Sequence, residues 1–282
     1  MSRLARAAGL AIALLLCQGA AQAQPQRIIS LAPSVTETVF ALGMGDRLVG
    51  VSVYCDYPPE AAKIDKVGTF LAPNIEAIVA HHPDLVIAVP SPGNHGPVEQ
   101  LQQLGMSVLV VDPGSIAEIR QSFLTIGHAL GRDAAAAELV AGVDRKIAEV
   151  QARLGDVPRR KVLMVVGQTP LIAAGTGTVQ DELIRMAAGE NVGARGGRGW
   201  PHLSIELAIA AAPDVIIDST MGNEERTGAG AASEFWRSFP TIPAVREGRV
   251  VGFQAYEILR PGPRIAAAFA TIARFVHPER FR

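Results

Sequence analysis

The chain has 282 residues, of which 49% are hydrophobic and 19% charged, and its formal net charge is −1. This composition predicts a globular protein with a large apolar core and excludes a disordered chain. A charge so near zero gives no basic surface for nucleic acid or anionic lipid, so we expect neither as a partner.

Residues 1–23 have the pattern of a secretion signal. Arg3 and Arg6 form a basic start, Leu10 to Leu16 an apolar stretch, and Ala21-Gln22-Ala23 a small-residue cleavage site. We therefore predict export to the periplasm with cleavage near Ala23. Removal of this segment leaves 24 basic against 27 acidic residues and Cys55 as the single cysteine, which excludes an intrachain disulfide.

Residues 27–130 alternate between apolar runs typical of strands and amphipathic runs typical of helices, which predicts an α/β lobe with a mostly parallel sheet. A helix begins near Ser34, with Ser34 or Thr36 as its N-cap. The predicted strands are Arg27–Leu31, Leu48–Val53 and Ser107–Val111, and the later helices are Val98–Leu104 and Ser115–Leu130. The connecting loops include Tyr54–Pro59, Phe70–Pro73 and Pro90–Pro97.

Asp133 to Leu154 predicts one long helix between two lobes. Leu139, Val143 and Ile147 recur at steps of four, and the apolar stripe continues to Leu154. Asp133 can cap the first turn, and Gly155 can end the helix in a left-handed conformation. Such a helix would be roughly 33 Å long and would act as a rigid connection over residues 131–155.

The second lobe, residues 160–282, repeats the first. Asn74–Ala88 (NIEAIVAHHPDLVIA) and Ser204–Asp218 (SIELAIAAAPDVIID) align without a gap, each with a short helix, a Pro-Asp break and an apolar strand. The other predicted elements of this lobe are strands Lys161–Val166 and Arg249–Phe253, helices Asp181–Ala188 and Ile265–Phe275, and a glycine-rich loop, Gly193–Gly199. The fold class is therefore α/β, with two similar lobes joined by one long helix.

Ligands of such sheets bind beyond the carboxyl ends of the strands, which places the ligand between the lobes. Aromatic residues are only 5% of the chain, yet several fall in loops or at strand ends there. Rigid rings with a few polar groups are typical of an apolar ligand site. The candidate residues are Tyr54, Phe70, Trp200, Tyr256, Arg260 and, in mouth loops, His95 and His202.

Signatures of common enzymes are missing from the sequence: there is no G-x-S-x-G, no phosphate loop and no H-E-x-x-H. His81 and His82 are adjacent, so they point to different helix faces and are interpreted as structural. Cys55 has no basic neighbour in the sequence and is interpreted as a small side chain in a tight loop. We expect no catalytic residues, no metal site and no cofactor.

One segment resembles a known family. VGVSVYCDYPPEAAKIDKVGTFLAPNIEAIVAHHPDLVIA from Val49 to Ala88 is similar to the first lobe of the periplasmic vitamin B12-binding proteins of bacterial ABC importers. The similarity continues through GWPHLSIELAIAAAPDVII and the RPGPRI segment at Arg260. Y-x-D-Y-P-P followed by N-[IL]-E is its most specific part. The resemblance implies the class III fold of periplasmic binding proteins, with two α/β lobes and one long helix.

The resemblance also implies roles for individual residues. Tyr54, Trp200 and Arg260 match positions that contact the corrinoid, and Phe70 stands where the family often has Trp. Glu76 and Glu206 match glutamates that dock on the permease. The sequence departs from the family at Val89 and Val166, which replace aromatic rings of the enteric member, and at Gln254 or Ala255, which replace an acidic contact.

The resulting hypothesis is a monomeric, non-enzymatic receptor that captures cobalamin or cobinamide between its lobes and delivers it to a permease dimer with its ATPase. Two alternatives remain open. A receptor of the same architecture could bind haem, with Tyr54, His95 or His202 as axial ligand, or an iron-siderophore, with Arg198 and Arg260. An enzyme could hold a metal through His95 or His202, but the sequence offers no obvious third ligand.

Overall fold

A computed structural model describes residues 24–91, 94–219, 229–252 and 256–282, and only the backbone at residues 229–231, 233 and 256. The predicted secretion signal, residues 1–23, lies outside the described residues. Within the described ranges, no helix is both long enough and apolar enough to cross a membrane.

The first lobe is built on a parallel four-stranded sheet with the order β2-β1-β3-β4. Its first three strands are mostly buried apolar residues, which suit a sheet that is covered on both faces, whereas Val110 of the edge strand is 43% exposed. The strands are β1 (Ile28–Ser30), β2 (Leu48–Val51), β3 (Leu85–Ala88) and β4 (Val108–Val110). The helices are α1 (Pro33–Ala41), α2 (Ile75–Ala80), α3 (His95–Gln103) and α4 (Ile116–Ala129).

The second lobe has a five-stranded sheet in which β5 pairs with β6, β7 and β8, and β8 pairs with β9. All pairs are parallel except β5 with β6. The strands are β5 (Arg160–Gln168), β6 (Leu171–Ala173), β7 (Gly189–Asn191), β8 (Val215–Asp218) and β9 (Val250–Gly252). The helices are α6 (Val179–Met186), α7 (Ile205–Ala211), α8 (Ala229–Arg237), α9 (Pro243–Arg246), α10 (Tyr256–Leu259) and α11 (Ile265–Val276).

The predicted repeat is confirmed in atomic detail by its Pro-Asp break. Asp84 accepts hydrogen bonds from the backbone of Arg27 (2.9 Å) and donates its own N–H to the carbonyl of Arg27 (2.8 Å). Asp214, 130 residues later, makes the same two bonds with Lys161, each 2.8 Å long. In each lobe, the aspartate of the Pro-Asp break thus holds the repeat against the start of the first strand.

The long helix α5 spans Asp133–Leu154, the range that its periodicity predicts. Gly155 ends it at a positive φ of 56°. Ala136 packs in the core of the first lobe, whereas Val143 and Ile147 pack in the core of the second. One helix therefore belongs to both hydrophobic cores, which restrains movement of one lobe relative to the other.

Helix α4 is shared in the same way. Ile126 packs with the first lobe, but Ile116, Ile119 and Phe123 lie in the core of the second. The predicted lobe boundary at residue 130 therefore does not separate the two hydrophobic cores, because the first turns of α4 belong to the core of the second lobe.

The starts or caps of four helices differ from prediction, including that of α6, which begins at Val179 rather than Asp181. Helix α1 begins at Pro33 with Ala32 as N-cap, because proline is suited to the first helical position, so neither Ser34 nor Thr36 is the cap. Arg132, not Asp133, is the N-cap of α5, and Asp133 lies in its first turn. Helix α3 begins at His95, three residues before the prediction.

Short elements of the second lobe were also missed. The sequence analysis predicted neither β6 nor β7, because each has three residues and no distinct periodicity. Helix α8 was missed although its alanines favour a helix, because Gly230 interrupts its first turn. The predicted glycine-rich loop contains a short 3-10 turn over Val192–Gly196.

Candidate ligand-binding cleft

Two of the candidate aromatic rings, Tyr54 and Trp200, are exposed on loops, and Tyr57 of the Tyr54 loop is 45% exposed as well. Tyr54 lies three residues after the end of β2 and is 54% exposed. Trp200 lies on a loop of the second lobe and is 42% exposed. Large rings of this exposure cost free energy in water, so they are suited to covering an apolar ligand.

The Trp200 loop is held by close backbone pairing. Gly175 donates to the carbonyl of Gly199 at 2.8 Å, and Gly199 donates to the carbonyl of Thr176 at 3.0 Å. A Cβ on Gly175 would lie 2.3 Å from the carbonyl oxygen of Gly197, so this approach requires glycine. The rigid backbone on either side presents the indole ring in a defined place.

Phe70 is half-buried against the core of the first lobe. Asn94, a residue that the sequence analysis did not single out, fixes its turn. The buried Asn94 amide donates to the carbonyls of Phe70 (3.2 Å) and Val89 (2.8 Å), and its oxygen accepts from the N–H of Ser91 (2.9 Å). The turn that carries Phe70 and the loop after β3 are thereby joined.

Neither candidate histidine belongs to a cluster of potential metal ligands among the described residues. His95 begins α3 instead of lying in a loop, and its Nδ1 is 3.5 Å from the carboxylate of Glu99. His202 is exposed, and its backbone forms a bridge with Ile172 of β6. Among the described residues, no three His, Cys, Asp or Glu side chains are grouped as a metal ion would require. The side chain of Tyr256 lies outside the described residues.

Arg260 of the second lobe contacts the first lobe directly. Its Nη1 donates to Asp56 Oδ1, and its Nη2 donates to Asp56 Oδ2 at 3.1 Å. Asp56 belongs to the same loop as Tyr54, so the contact joins two of the predicted ligand-binding positions across the lobes. The hydrogen bond from Arg260 lowers the pKa of Asp56 below its usual value.

A second arginine makes a parallel contact four residues later. Arg264 Nε donates to Glu37 Oε2 at 2.8 Å, and its Nη2 donates to Glu37 Oε1 at 2.7 Å. Glu37 lies on α1, and only 2% of its side chain is exposed. Arg264 also lies 4.0 Å from the centre of the Tyr57 ring and 3.7 Å from Glu257. The bond to Glu37 raises the pKa of Arg264.

These arginines form an electrostatic contact between the lobes that the sequence analysis recognised only in part. Arg260 was a candidate site residue, whereas Asp56, Glu37 and Arg264 were not. A glutamate on the apolar helix α1 and two arginines four residues apart were the available signals. Neither signal identifies its partner, because each pair is separated by more than 200 residues.

Cys55 lies in the same loop as Tyr54 and Asp56. Its side chain is buried and lies 3.1 Å from Thr36 Oγ1 and 3.2 Å from Ser52 Oγ. Burial raises the pKa of the Cys55 thiol, so it remains protonated at neutral pH.

The carboxyl end of β8 carries another buried polar group that was missed. Asp218 Oδ2 accepts from Trp236 Nε1 at 2.7 Å and from Gln168 Nε2 at 2.8 Å. Trp236 is fully buried and packs edge-on against Phe235. This network ties α8 to two strands of the second sheet, close to where its loops face the cleft.

Glu76 and Glu206 lie at matching positions on α2 and α7. Both are exposed and both lie in the first turn of the helix, where the helix dipole favours a carboxylate. The caps match as well: Asn74 accepts from the third residue after it at 3.0 Å, and Ser204 does so at 3.2 Å.

Comparison with known proteins agrees with this geometry. The vitamin B12-binding protein of Salmonella choleraesuis is 33% identical over 219 residues, which cover 78% of this chain and 80% of that protein. The crystal structure of the periplasmic vitamin B12 binding protein of Vibrio cholerae has a TM-score of 0.81 and 26% identity, covering 92% of this chain and 99% of the other. The periplasmic heme-binding protein of Roseiflexus has a TM-score of 0.80 and 28% identity, covering 90% and 99%.

The family model described as periplasmic binding protein matches residues 28–256, which include both sheets and the long helix. The fold is that of the class III periplasmic binding proteins, as the sequence analysis predicted. The chain belongs to the periplasmic binding protein family, and it is a non-enzymatic substrate-binding protein of the ABC-importer type.

Proposed function

We propose that this protein binds a corrinoid, either cobalamin or cobinamide, in the cleft between its lobes and delivers it to an ABC importer. The observation that carries the proposal is the contact of Arg260 with the loop of the exposed Tyr54. The bond to Asp56 brings a guanidinium of the second lobe next to the first-lobe loop that carries the exposed Tyr54 ring. The names of the Salmonella and Vibrio relatives support the choice of ligand.

Each part of the cleft has a proposed task. Tyr54, Phe70 and Trp200 cover the faces of the macrocycle, and Arg260 donates to its peripheral amides. Tyr256, His95 and His202 complete the set of proposed ligand contacts. Because α5 packs in both cores, the lobes close by little and the site is largely preformed, which lowers the entropic cost of binding.

Haem is the second candidate ligand. The similarity to the Roseiflexus heme-binding protein favours it, as does the exposed phenol of Tyr54, because tyrosine can serve as an axial ligand of iron. His95 is a weaker candidate, since it lies beside Glu99 at the start of a helix.

Delivery requires docking on a permease, and we assign this role to Glu76 and Glu206. Their matching places in the repeat support the assignment, because a permease dimer with a twofold axis could offer one arginine cluster to each glutamate. Charged pairs of this kind fix the orientation of the complex more than they increase its affinity.

In this proposal the mature protein is a periplasmic monomer that begins near residue 24. It comprises a first lobe of residues 27–130, the connecting helix of residues 131–155 and a second lobe of residues 160–282. Size-exclusion chromatography with light scattering of the exported protein tests the oligomeric state, and mass spectrometry of the same sample tests the cleavage site.

The experiment that tests the ligand is a spectral titration of the purified protein with cyanocobalamin, dicyanocobinamide and hemin, with isothermal titration in parallel. We expect at least one corrinoid to bind with micromolar or tighter affinity and about one molecule per chain. Saturation by hemin with no heat from either corrinoid would replace the corrinoid proposal with the haem alternative.

A further inference from the structure

The contact between Arg260 and Asp56 differs from the other predicted ligand positions, because it already pairs two opposite charges. Arg260 is 12% exposed in its side chain, whereas Asp56 is 55% exposed. The carboxylate is therefore the more accessible half of the pair. In the proposed site, a ligand beside Tyr54 would meet Asp56 as well as the guanidinium, because Asp56 is two residues from Tyr54 in the same loop.

Among the described residues, the charged groups in contact with this pair and with Arg264 give no excess of positive charge. Arg264 is neutralised by Glu37 through two hydrogen bonds, and Glu257 lies 3.7 Å from the same guanidinium. Arg260 and Arg264 are thus matched by three carboxylates, those of Asp56, Glu37 and Glu257. A site with this balance has no net positive charge to attract an anionic ligand.

The candidate ligands differ in the charge and hydrogen-bonding capacity of their peripheral groups, and a site without excess positive charge can distinguish them by these properties. The side chains of a corrinoid end largely in amides, which are uncharged and both donate and accept hydrogen bonds. The propionates of haem are anionic and only accept. An exposed aspartate accepts from an amide N–H, but it repels a carboxylate, and repulsive contacts of this kind are a common source of specificity.

We propose that Asp56 determines the class of ligand at this site by neutralising Arg260 and offering acceptor oxygens, so that amide-bearing tetrapyrroles are accepted and carboxylate-bearing ones are rejected. This inference rests on the proposed function, since it concerns the same cleft. It assigns to Asp56 a role in selectivity that is distinct from holding the lobes together.

The test uses two ligands that share one macrocycle. Dicyanocobinamide carries amides, whereas dicyanocobyrinic acid carries carboxylates in their place. Wild-type protein should prefer the amide form, and Asp56→Asn, which keeps the size of the side chain but removes its charge, should reduce that preference about tenfold. Hemin should bind more tightly to the variant than to wild type. Asp46→Asn, an exposed carboxylate of the same lobe paired with Arg47, is the matched control and should leave the preference unchanged.

Circular dichroism and thermal melting of each variant show whether it is folded, and Asp56→Ser provides a second substitution with the same expectation. If wild type binds dicyanocobinamide and Asp56→Asn keeps the full preference for amides, the role of Asp56 is wrong while the proposed function stands. If wild type binds no corrinoid, the proposed function is wrong and this inference is wrong with it. Tight binding of hemin by wild type would also overturn the inference, because the site would then accept carboxylates.

Discussion

Removing Arg264 should destabilise the protein through the partner that it leaves behind. Glu37 is 2% exposed in its side chain and accepts two hydrogen bonds from Arg264. Breaking a buried ion pair from one side costs about 3–5 kcal/mol, because the remaining group is buried without compensation. Arg264 is 24% exposed, so water can reach part of the space that it vacates. We therefore expect Arg264→Met to lower the free energy of unfolding by about 3 kcal/mol.

Urea unfolding followed by circular dichroism measures this loss, and a thermal melt should show a decrease in Tm of roughly 6–12 °C. The double variant Glu37→Leu with Arg264→Met should lie within about 1 kcal/mol of wild type, because an apolar pair can replace a buried ion pair. Arg195→Met is the control. Arg195 faces Glu190 at 3.4 Å with both side chains about half exposed, and its loss should cost under about 1 kcal/mol.

The reasoning would be refuted by either of two results. The first is a loss in Arg264→Met no larger than that in Arg195→Met, which would mean that the burial of Glu37 carries no energetic consequence. The second is a double variant whose loss equals the two single losses added together, since the residues would then be energetically independent.

Three further predictions concern binding, docking and acid stability. Trp200→Ala should weaken corrinoid binding about thirtyfold, because truncation of an aromatic anchor costs about 2 kcal/mol, and the apo Tm should stay unchanged. If this variant does not fold, Trp200 is a core residue and not a ligand contact. Replacing both Glu76 and Glu206 with Gln should leave ligand affinity within about twofold but sharply reduce uptake in cells. Normal uptake by this variant would mean that the two glutamates only stabilise the ends of their helices. The folded-state pKa of Asp56 is lowered, so its contribution to stability is present above its unfolded pKa of about 3.9 and is lost as the pH falls through the folded value. Asp56→Asn should therefore flatten the pH dependence of the free energy of unfolding below about pH 4. An unchanged slope in acid would contradict this prediction.

The fold was predictable wherever local chemistry and periodicity agree. The bounds of α5 follow from its apolar stripe and from Gly155, and the repeat follows from two short phrases that each end in the same Pro-Asp break. The prediction of the α1 cap was wrong because Pro33 is itself suited to the first helical position, so the chain enters the helix before Ser34. Strand β6 could not be predicted, because it depends on pairing with β5 rather than on its own three residues.

The presence of aromatic residues in the loops of the candidate cleft could be predicted from the sequence, but its ion pairs could not. Tyr54 and Trp200 are aromatic residues in loops, which a sequence shows directly. The pairing of Arg260 with Asp56 and of Arg264 with Glu37 joins residues separated by 204 and 227 positions. Such pairs form only when the whole fold brings the lobes together, so no local pattern carries the information.

The division of α4 between the two cores has a consequence for the order in which the protein can mature. Domains generally fold N-terminus first as the chain becomes available. Here Ile116, Ile119 and Phe123 belong to one hydrophobic cluster with residues of the later lobe, including Val162 and Phe269. The cluster that includes these α4 residues therefore stays incomplete until the second lobe is available. A protein truncated after the long helix should consequently be less stable than the full chain, because α4 and α5 would lack the second-lobe members of their shared cluster.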